Sequence, residues 1–345
     1  MYLNKYPISK RQRYKYVHNK FIPFAFVFII IIIGISLIIM SKAETPFVSI
    51  NADNGTLTPP AIKKSCSGST DGNCVLFNSP PLSTYWMIND GELNQIVKAG
   101  LSSTILNYFF NNSHSLLISG DSPTIDAELP KASVVLKYDS ESSLAAAARQ
   151  GFPGNTAYIA YDNESWSNTP VNEQECPFDY AKLAESIVHE KGLSFIFTPG
   201  SDLSLNLESS QGCNTQPENI TSYSLPQPDI KYSDYLNEDI AGLGAKDSDM
   251  FEIQAQELMN NSVDFTYFTD SAISEANESS MNKVPLLVGL TTDDSEQTMT
   301  LQEMMSAYDT TKNLASGYWL NVPNTGTPDP SLAISFLNAV YDENH

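Results

Sequence analysis

Tyr158-Ile159-Ala160-Tyr161-Asp162-Asn163-Glu164-Ser165-Trp166 passes from apolar and aromatic residues straight into two carboxylates and an indole. A short continuous apolar run reads as a strand buried on both faces, as in parallel sheets. A polar tip that begins at once marks a strand whose far end opens on a site. Side chains alternate along a strand, so Asp162 and Glu164 point to the same side.

Working outward, the same kind of run recurs at Tyr85–Ile88, Leu116–Ser119, Ser133–Tyr138, Ala157–Tyr161, Leu193–Thr198, Phe251–Ala255, Leu286–Leu290 and Gly317–Val322. Helical periodicity falls between several of them, at Glu92–Ala99, Ser143–Arg149, Tyr180–Glu190, Val263–Ala276, Leu301–Asn313 and Ser331–Tyr341. Eight strand–helix units in about 260 residues predict the α/β class and a (β/α)8 barrel of TIM type. Thr104–Phe109 competes with Leu116–Ser119 for the second strand. A doubly wound open sheet is the alternative, but Gly242-Leu243-Gly244-Ala245-Lys246 lacks the spacing of a phosphate loop. Gly200–Lys246, with Cys213, Pro217, Pro226 and Pro228, reads as a long loop on the C-terminal face, either a lid or wall of the site or a decorative insertion.

The N-terminus differs in character. Residues 1–20 carry six of the nineteen basic residues and no acid. Residues 21–40 are then apolar, long enough at about 1.5 Å per residue to cross a bilayer core of roughly 30 Å. The basic flank places residues 1–20 in the cytoplasm, 21–40 as a signal anchor and the rest outside the cell. The rival reading is a signal peptide cleaved near Ser41 and Ala43, followed by secretion. Residues 41–82, rich in Ser, Pro, Thr, Asn and Gly, read as an extracellular linker, and 83–345 as the barrel domain. All forty acids follow residue 20, which leaves −27 on residues 21–345. That charge disfavours nucleic acid and anionic membrane surfaces. Four cysteines in an exported chain suggest disulfides, paired by proximity as Cys66–Cys74 and Cys176–Cys213. Asn54, Asn111, Asn163, Asn219, Asn260 and Asn277 begin glycosylation sequons.

On the barrel, the tips of neighbouring strands converge. Asp162 and Glu164 end the fourth. Lys137 and Asp139 end the third, where Lys137 is expected to pair with a neighbouring acid and hold it ionised. Glu252, Gln254 and Gln256 share one side of the sixth, Asp293 and Asp294 follow the seventh, and Trp319 lies on the eighth. Sugar hydrolysis needs an acid to protonate the leaving oxygen and a second group at the anomeric carbon. Glu164, flanked by Trp166 and Trp319, is the candidate acid, since partial desolvation would raise its pKa. Its partner is Asp162, Glu252 or one of Asp293 and Asp294. The same acids would equally serve as helix caps. No His-Glu-x-x-His motif and no Gly-x-Ser-x-Gly elbow occurs, so neither a histidine metal site nor a hydrolase triad is expected, and no cofactor motif is present.

Lys137–Ser140, Tyr161–Pro170, Phe251–Gln256 and Gly317–Asn321 together resemble a group of exported microbial proteins, without a settled activity, thought to be barrels related to glycoside hydrolases. The resemblance covers residues 84–345. A looser likeness is to chitinase-like barrels, in which an Asp-x-Glu ends the fourth strand and a Trp the eighth. It implies Glu164 as acid, Asp162 as the group that orients a substrate acetamide, and Trp319 as the floor of a sugar subsite. Ala157 and Ala160 replace the first two acids of that family's Asp-x-x-Asp-x-Asp-x-Glu pattern, and Gln254 and Gln256 stand where a sixth-strand tyrosine is expected. The likeness therefore implies architecture rather than chitinase activity. The reading is a membrane-anchored extracellular glycoside-hydrolase-like protein. Glu164 and Asp162 are its catalytic pair, and Trp166, Trp319, Gln254, Gln256, Glu252, Lys137 and Asp139 bind carbohydrate. The alternatives are a non-catalytic binder of glycan or cell-wall polymer, and a structural envelope protein.

Overall fold

The computed structural model describes residues 61–65, 73–77, 84–120, 123–205, 213–214, 225, 230–293, 299–323 and 330–345. The expected membrane span at 21–40, the Cys66–Cys74 pair and Asp294 lie outside the described residues or side chains. The chain divides into two units, Met1–Phe77 and Asn78–His345. In the first, Ala61–Ser65 and Asn73–Phe77 form an antiparallel hairpin, with Ala61 opposite Phe77 and Ser65 opposite Asn73. The polar composition of this stretch gave no sign of that pairing.

The second unit runs β1 (Tyr85–Asn89), α1 (Asp90–Lys98), α2 (Ser103–Phe110), β2 (Ser115–Ile118), α3 (Pro123–Glu128), β3 (Ser133–Tyr138), α4 (Glu141–Gln150), β4 (Thr156–Tyr161), α5 (Val171–Glu175), α6 (Pro177–Glu190), β5 (Ser194–Phe197), α7 (Ile230–Asn237), α8 (Ile240–Lys246), β6 (Met250–Ile253), α9 (Ser262–Ser280), β7 (Leu286–Thr291), α10 (Leu301–Thr311), β8 (Gly317–Asn321) and α11 (Pro330–Glu343). The eight strands are parallel and close into a barrel in chain order, β8 returning to β1. The open sheet is thereby excluded. At the seam Gly317 lies opposite Tyr85. A β-carbon there would come within 2.3 Å of the Tyr85 carbonyl oxygen, so only glycine lets the two strands meet.

Alternation along each strand divides the core in two. Met87, Leu116, Ile118, Val135, Ala160, Ile196, Met250 and Leu287 fill the barrel interior. Trp86, Ile88, Leu117, Ile159, Tyr161, Phe195, Phe197, Phe251, Ile253, Val288, Leu290 and Tyr318 face outward and pack under the helices. Burial on both faces explains the uninterrupted apolar runs. Thr104–Phe109, the rival second strand, lies within α2. Its buried Ile105, Leu106, Phe109 and Phe110 make a helical stripe, and the Ser102 hydroxyl accepts from the Ile105 N–H at its start. Gly200–Lys246 is likewise not simply a loop. It holds a 3-10 turn at Ser201–Leu205 and the helices α7 and α8, and α8 is buried throughout from Ile240 to Ala245.

Candidate active site

Beyond the end of β4 the chain is held by its outward-facing side chains. The Tyr161 hydroxyl donates to Glu173 Oε2 at 2.7 Å. The Asn163 amide donates to the Tyr161 oxygen at 3.0 Å and to the Glu173 carbonyl at 2.9 Å. Glu173, on α5 and 1% exposed, also accepts from the backbone N–H groups of Glu141 and Ser142 at 2.7 and 3.4 Å. Those N–H groups open α4, where a carboxylate is favoured by orphan donors and by the helix dipole. With 161 and 163 tied outward, 162 and 164 are turned to the barrel mouth. Asn163 is fully buried in this clamp, which is incompatible with a glycan on that sequon.

Asp162 is almost completely buried. It accepts from Lys137 Nζ at 2.5 Å, from the Thr198 hydroxyl at 3.0 Å and from the Gln254 amide at 3.5 Å. Lys137 also binds Asp139 at 3.1 Å. The expected lysine–acid pair is therefore present, but it does not bring the carboxyl below its ordinary value. Burial raises the Asp162 pKa, and Lys137 offsets only part of that rise. Burial works in the opposite direction on Lys137, where it lowers the pKa. Asp162 and Asp139 outweigh it and hold the ammonium charged.

Glu164 is half-buried and shares the Gln254 amide nitrogen, at 3.2 Å, with Asp162. Burial pushes its pKa up to about 8. The neighbouring Asp162 and Asp202 push the same way, against the Gln254 hydrogen bond and Lys137. Glu252 on β6 is fully buried, and neither of its oxygens has a hydrogen-bond partner among the described residues. Burial, then Asp162 and Glu164, hold its carboxyl well above the ordinary range.

These groups line one open cavity of about 390 Å³ at the C-terminal ends of the strands, together with Lys137, Trp166, Gln254, Gln256 and Trp319. Trp319 also packs on the interior cluster. The Trp166 indole N–H donates to the Thr169 hydroxyl at 2.8 Å, and Lys137 Nζ lies 5.3 Å from the ring centre. Asp139 does not line the cavity and meets Lys137 from outside it. Gln256 reaches the cavity from a 3-10 turn after the end of β6, not by strand alternation. Asp293 is also absent from the lining, and its backbone is tied to the Thr291 hydroxyl. Among the described residues, the set of His, Cys, Asp and Glu ligand atoms that gathers within 4.8 Å is Cys176, Asp179 and Cys213. Its two sulfurs form the expected disulfide.

Sequence reasoning missed Thr198, Asn89, Gly289 and Asn321. All four sit one alternation step beyond interior residues of β5, β1, β7 and β8, so strand parity would have found them. Glu92 enters from α1, and Asp202 acts from the turn after β5, where no strand rule applies.

No protein-family model matches this chain, and no curated protein matches it. Solved structures similar to it include the spore cortex-lytic enzyme SleL of Bacillus megaterium QM B1551, with 7% identity and a TM-score of 0.44 over 79% of this chain and 78% of that one. A chitinase of Chromobacterium violaceum ATCC 12472 matches at 10% identity and a TM-score of 0.41, over 74% and 99% of the two chains. A sugar phosphate isomerase/epimerase of Parabacteroides distasonis ATCC 8503 matches at 11% and 0.39, over 74% and 95%. These likenesses add nothing to the barrel fold that the strands themselves show. Barrels of other chemistry share it, so the activity has to be read from this chain's own residues.

Proposed function

We propose that this protein is a glycoside hydrolase in which Glu164 is the general acid. The observation that carries the reading is the Glu164 carboxyl itself. It is half-open to a cavity flanked by Trp166 and Trp319, it keeps its proton up to about pH 8, and it shares one amide donor with Asp162. Glu164 gives its proton to the glycosidic oxygen as the bond to the anomeric carbon breaks. Positive charge builds on the sugar, and Asp162 stabilises it. Asp162 is occupied by Lys137 and Thr198, which suits it to orienting substrate and not to attacking it. Water then attacks the anomeric carbon and returns a proton to Glu164. Trp166 and Trp319 supply faces on which sugar rings stack, and Gln254 and Gln256 supply amides for hydroxyls. Among the described residues no helix is long and apolar enough to cross a membrane. An anchor at residues 21–40, with the barrel outside the cell, is part of the proposal on the strength of the sequence alone.

The test is a hydrolysis screen of the full-length protein on a glycan panel, with Glu164→Gln as the paired variant. The expected loss is about 10²–10⁴-fold in kcat, with the melting temperature unchanged. Wild-type turnover in that variant removes Glu164 from the chemistry. Binding without turnover in the wild type replaces the hydrolase by the glycan-binding alternative.

A further inference from the structure

We infer that the cavity takes an amine-bearing sugar, with the ammonium group seated against Glu252 and Gln256. This deepens the hydrolase reading and rests on it. Among the described residues, the cavity is lined by the carboxyls of Glu92, Asp162, Glu164, Glu252 and Glu257, against the one ammonium of Lys137. That ammonium is already spent on Asp162 and Asp139. Glu257 pairs with Lys231, and Glu92 accepts from the Val322 N–H. Asp162 has three donors. Glu252 is left as a fully buried carboxyl with two vacant oxygens.

Such a group costs stability unless something partners it, and the fold lets it sit close beside a second vacant acceptor. Gly289 on β7 faces it. A β-carbon there would come within 2.6 Å of Glu252 Oε1 and 2.4 Å of Gln256 Oε1. The Gln256 oxygen is likewise buried without a donor. The bare Gly289 backbone therefore lets two vacant acceptors lie side by side, where any larger residue would push them apart. A ligand with several N–H donors and a positive charge satisfies both, and it also stabilises the ionised form of Glu252. A hydroxyl offers one donor and no charge. An N-acetyl group offers one donor and more bulk.

The experiment compares β-1,4-linked tetramers of glucosamine, N-acetylglucosamine and glucose by isothermal titration calorimetry on the full-length protein at about pH 6, where the amines are charged. The glucosamine tetramer is expected to bind about thirtyfold or more tightly than the other two, and Glu252→Gln to abolish the difference. A second measurement uses wild-type protein alone, in case that variant does not fold. Repeating the titration in two buffers of different ionisation enthalpy should show net proton release, because the ammonium ionises the carboxyl it meets. Equal or tighter binding of the glucose or N-acetylated tetramer, or no proton release, overturns the inference. Neither result touches Glu164, whose role is read from hydrolysis. Conversely, amine preference in a protein that hydrolyses nothing supports the subsite while removing the parent reading.

Discussion

A general acid must still hold its proton when the leaving oxygen arrives, and at Glu164 burial and a neighbouring anion supply that condition. Activity that requires the protonated carboxyl persists below its pKa and falls as pH rises through it. The alkaline limb of kcat/KM is therefore expected near pH 8. An unperturbed glutamate, ordinarily at 4.5, would put that limb more than three units lower. Asp162→Asn removes the larger of the two charges that raise Glu164, so the carboxyl should titrate at lower pH in that variant. Carbon NMR of the labelled side chain would follow this even where turnover is weak. An unmoved titration would mean that Asp162 does not set the value. Asp162, Glu164 and Trp319 were legible because strand alternation places them, Trp166 because it follows them closely in sequence, and the cavity collects all four. The electrostatic balance was not legible. A lysine one residue before the end of β3 predicts a pair, but whether burial outweighs it depends on Thr198, Gln254 and the depth of the cavity. Those come from strands far apart in sequence.

Between strand and helix, Glu173 links three elements. It sits on the short α5, receives Tyr161 from the end of β4, and accepts from the first N–H groups of α4. Glu173→Ala removes the acceptor of two part-buried backbone donors and of the buried Tyr161 hydroxyl, at about 1–3 kcal/mol for each group that water cannot reach. A loss of about 2–4 kcal/mol in urea unfolding is expected, with a fall in kcat as residues 162 and 164 lose their fixed aim. Tyr161→Phe, which leaves the backbone donors paired, should cost about 1 kcal/mol. If Glu173→Ala unfolds at the wild-type urea midpoint, the clamp is not what holds this strand tip. The strands and the long helices were legible from period and length. α5 was not, since five residues carry no detectable period. Nor were α7 and α8, where a proline-rich stretch before Ile230 hides two short helices. In Thr104–Phe109 a strand-like composition concealed a helical stripe, because burial of Ile105, Leu106, Phe109 and Phe110 on one face outweighs local propensity.

Over the whole molecule, protons and stability are linked through the same cavity. Asp162, Glu164 and Glu252 all bind protons more tightly in the folded chain than their ordinary values allow. Where the native state holds more protons than the unfolded state, unfolding free energy falls as pH rises. For Glu164 the contribution is fully present below about 4.5 and is lost progressively up to about 8. Glu252 extends the loss in the same direction. The −27 charge on residues 21–345 adds to it, since self-repulsion grows as carboxyls ionise. The urea midpoint should therefore be higher at pH 5 than at pH 8, the reverse of a protein whose carboxylates are held mainly by salt bridges. Glu252→Gln keeps the shape and removes the ionisation, so it should flatten the slope and raise stability at pH 8. A midpoint that climbs from pH 5 to pH 8 would mean that ion pairs such as Lys137–Asp162 outweigh the buried acids. Salt separates the two contributions to the slope. Screening weakens the surface repulsion, with a Debye length of about 10 Å at 0.1 M, but leaves the desolvation of Glu252 in place. The part of the slope that survives high salt is then the part that belongs to the cavity.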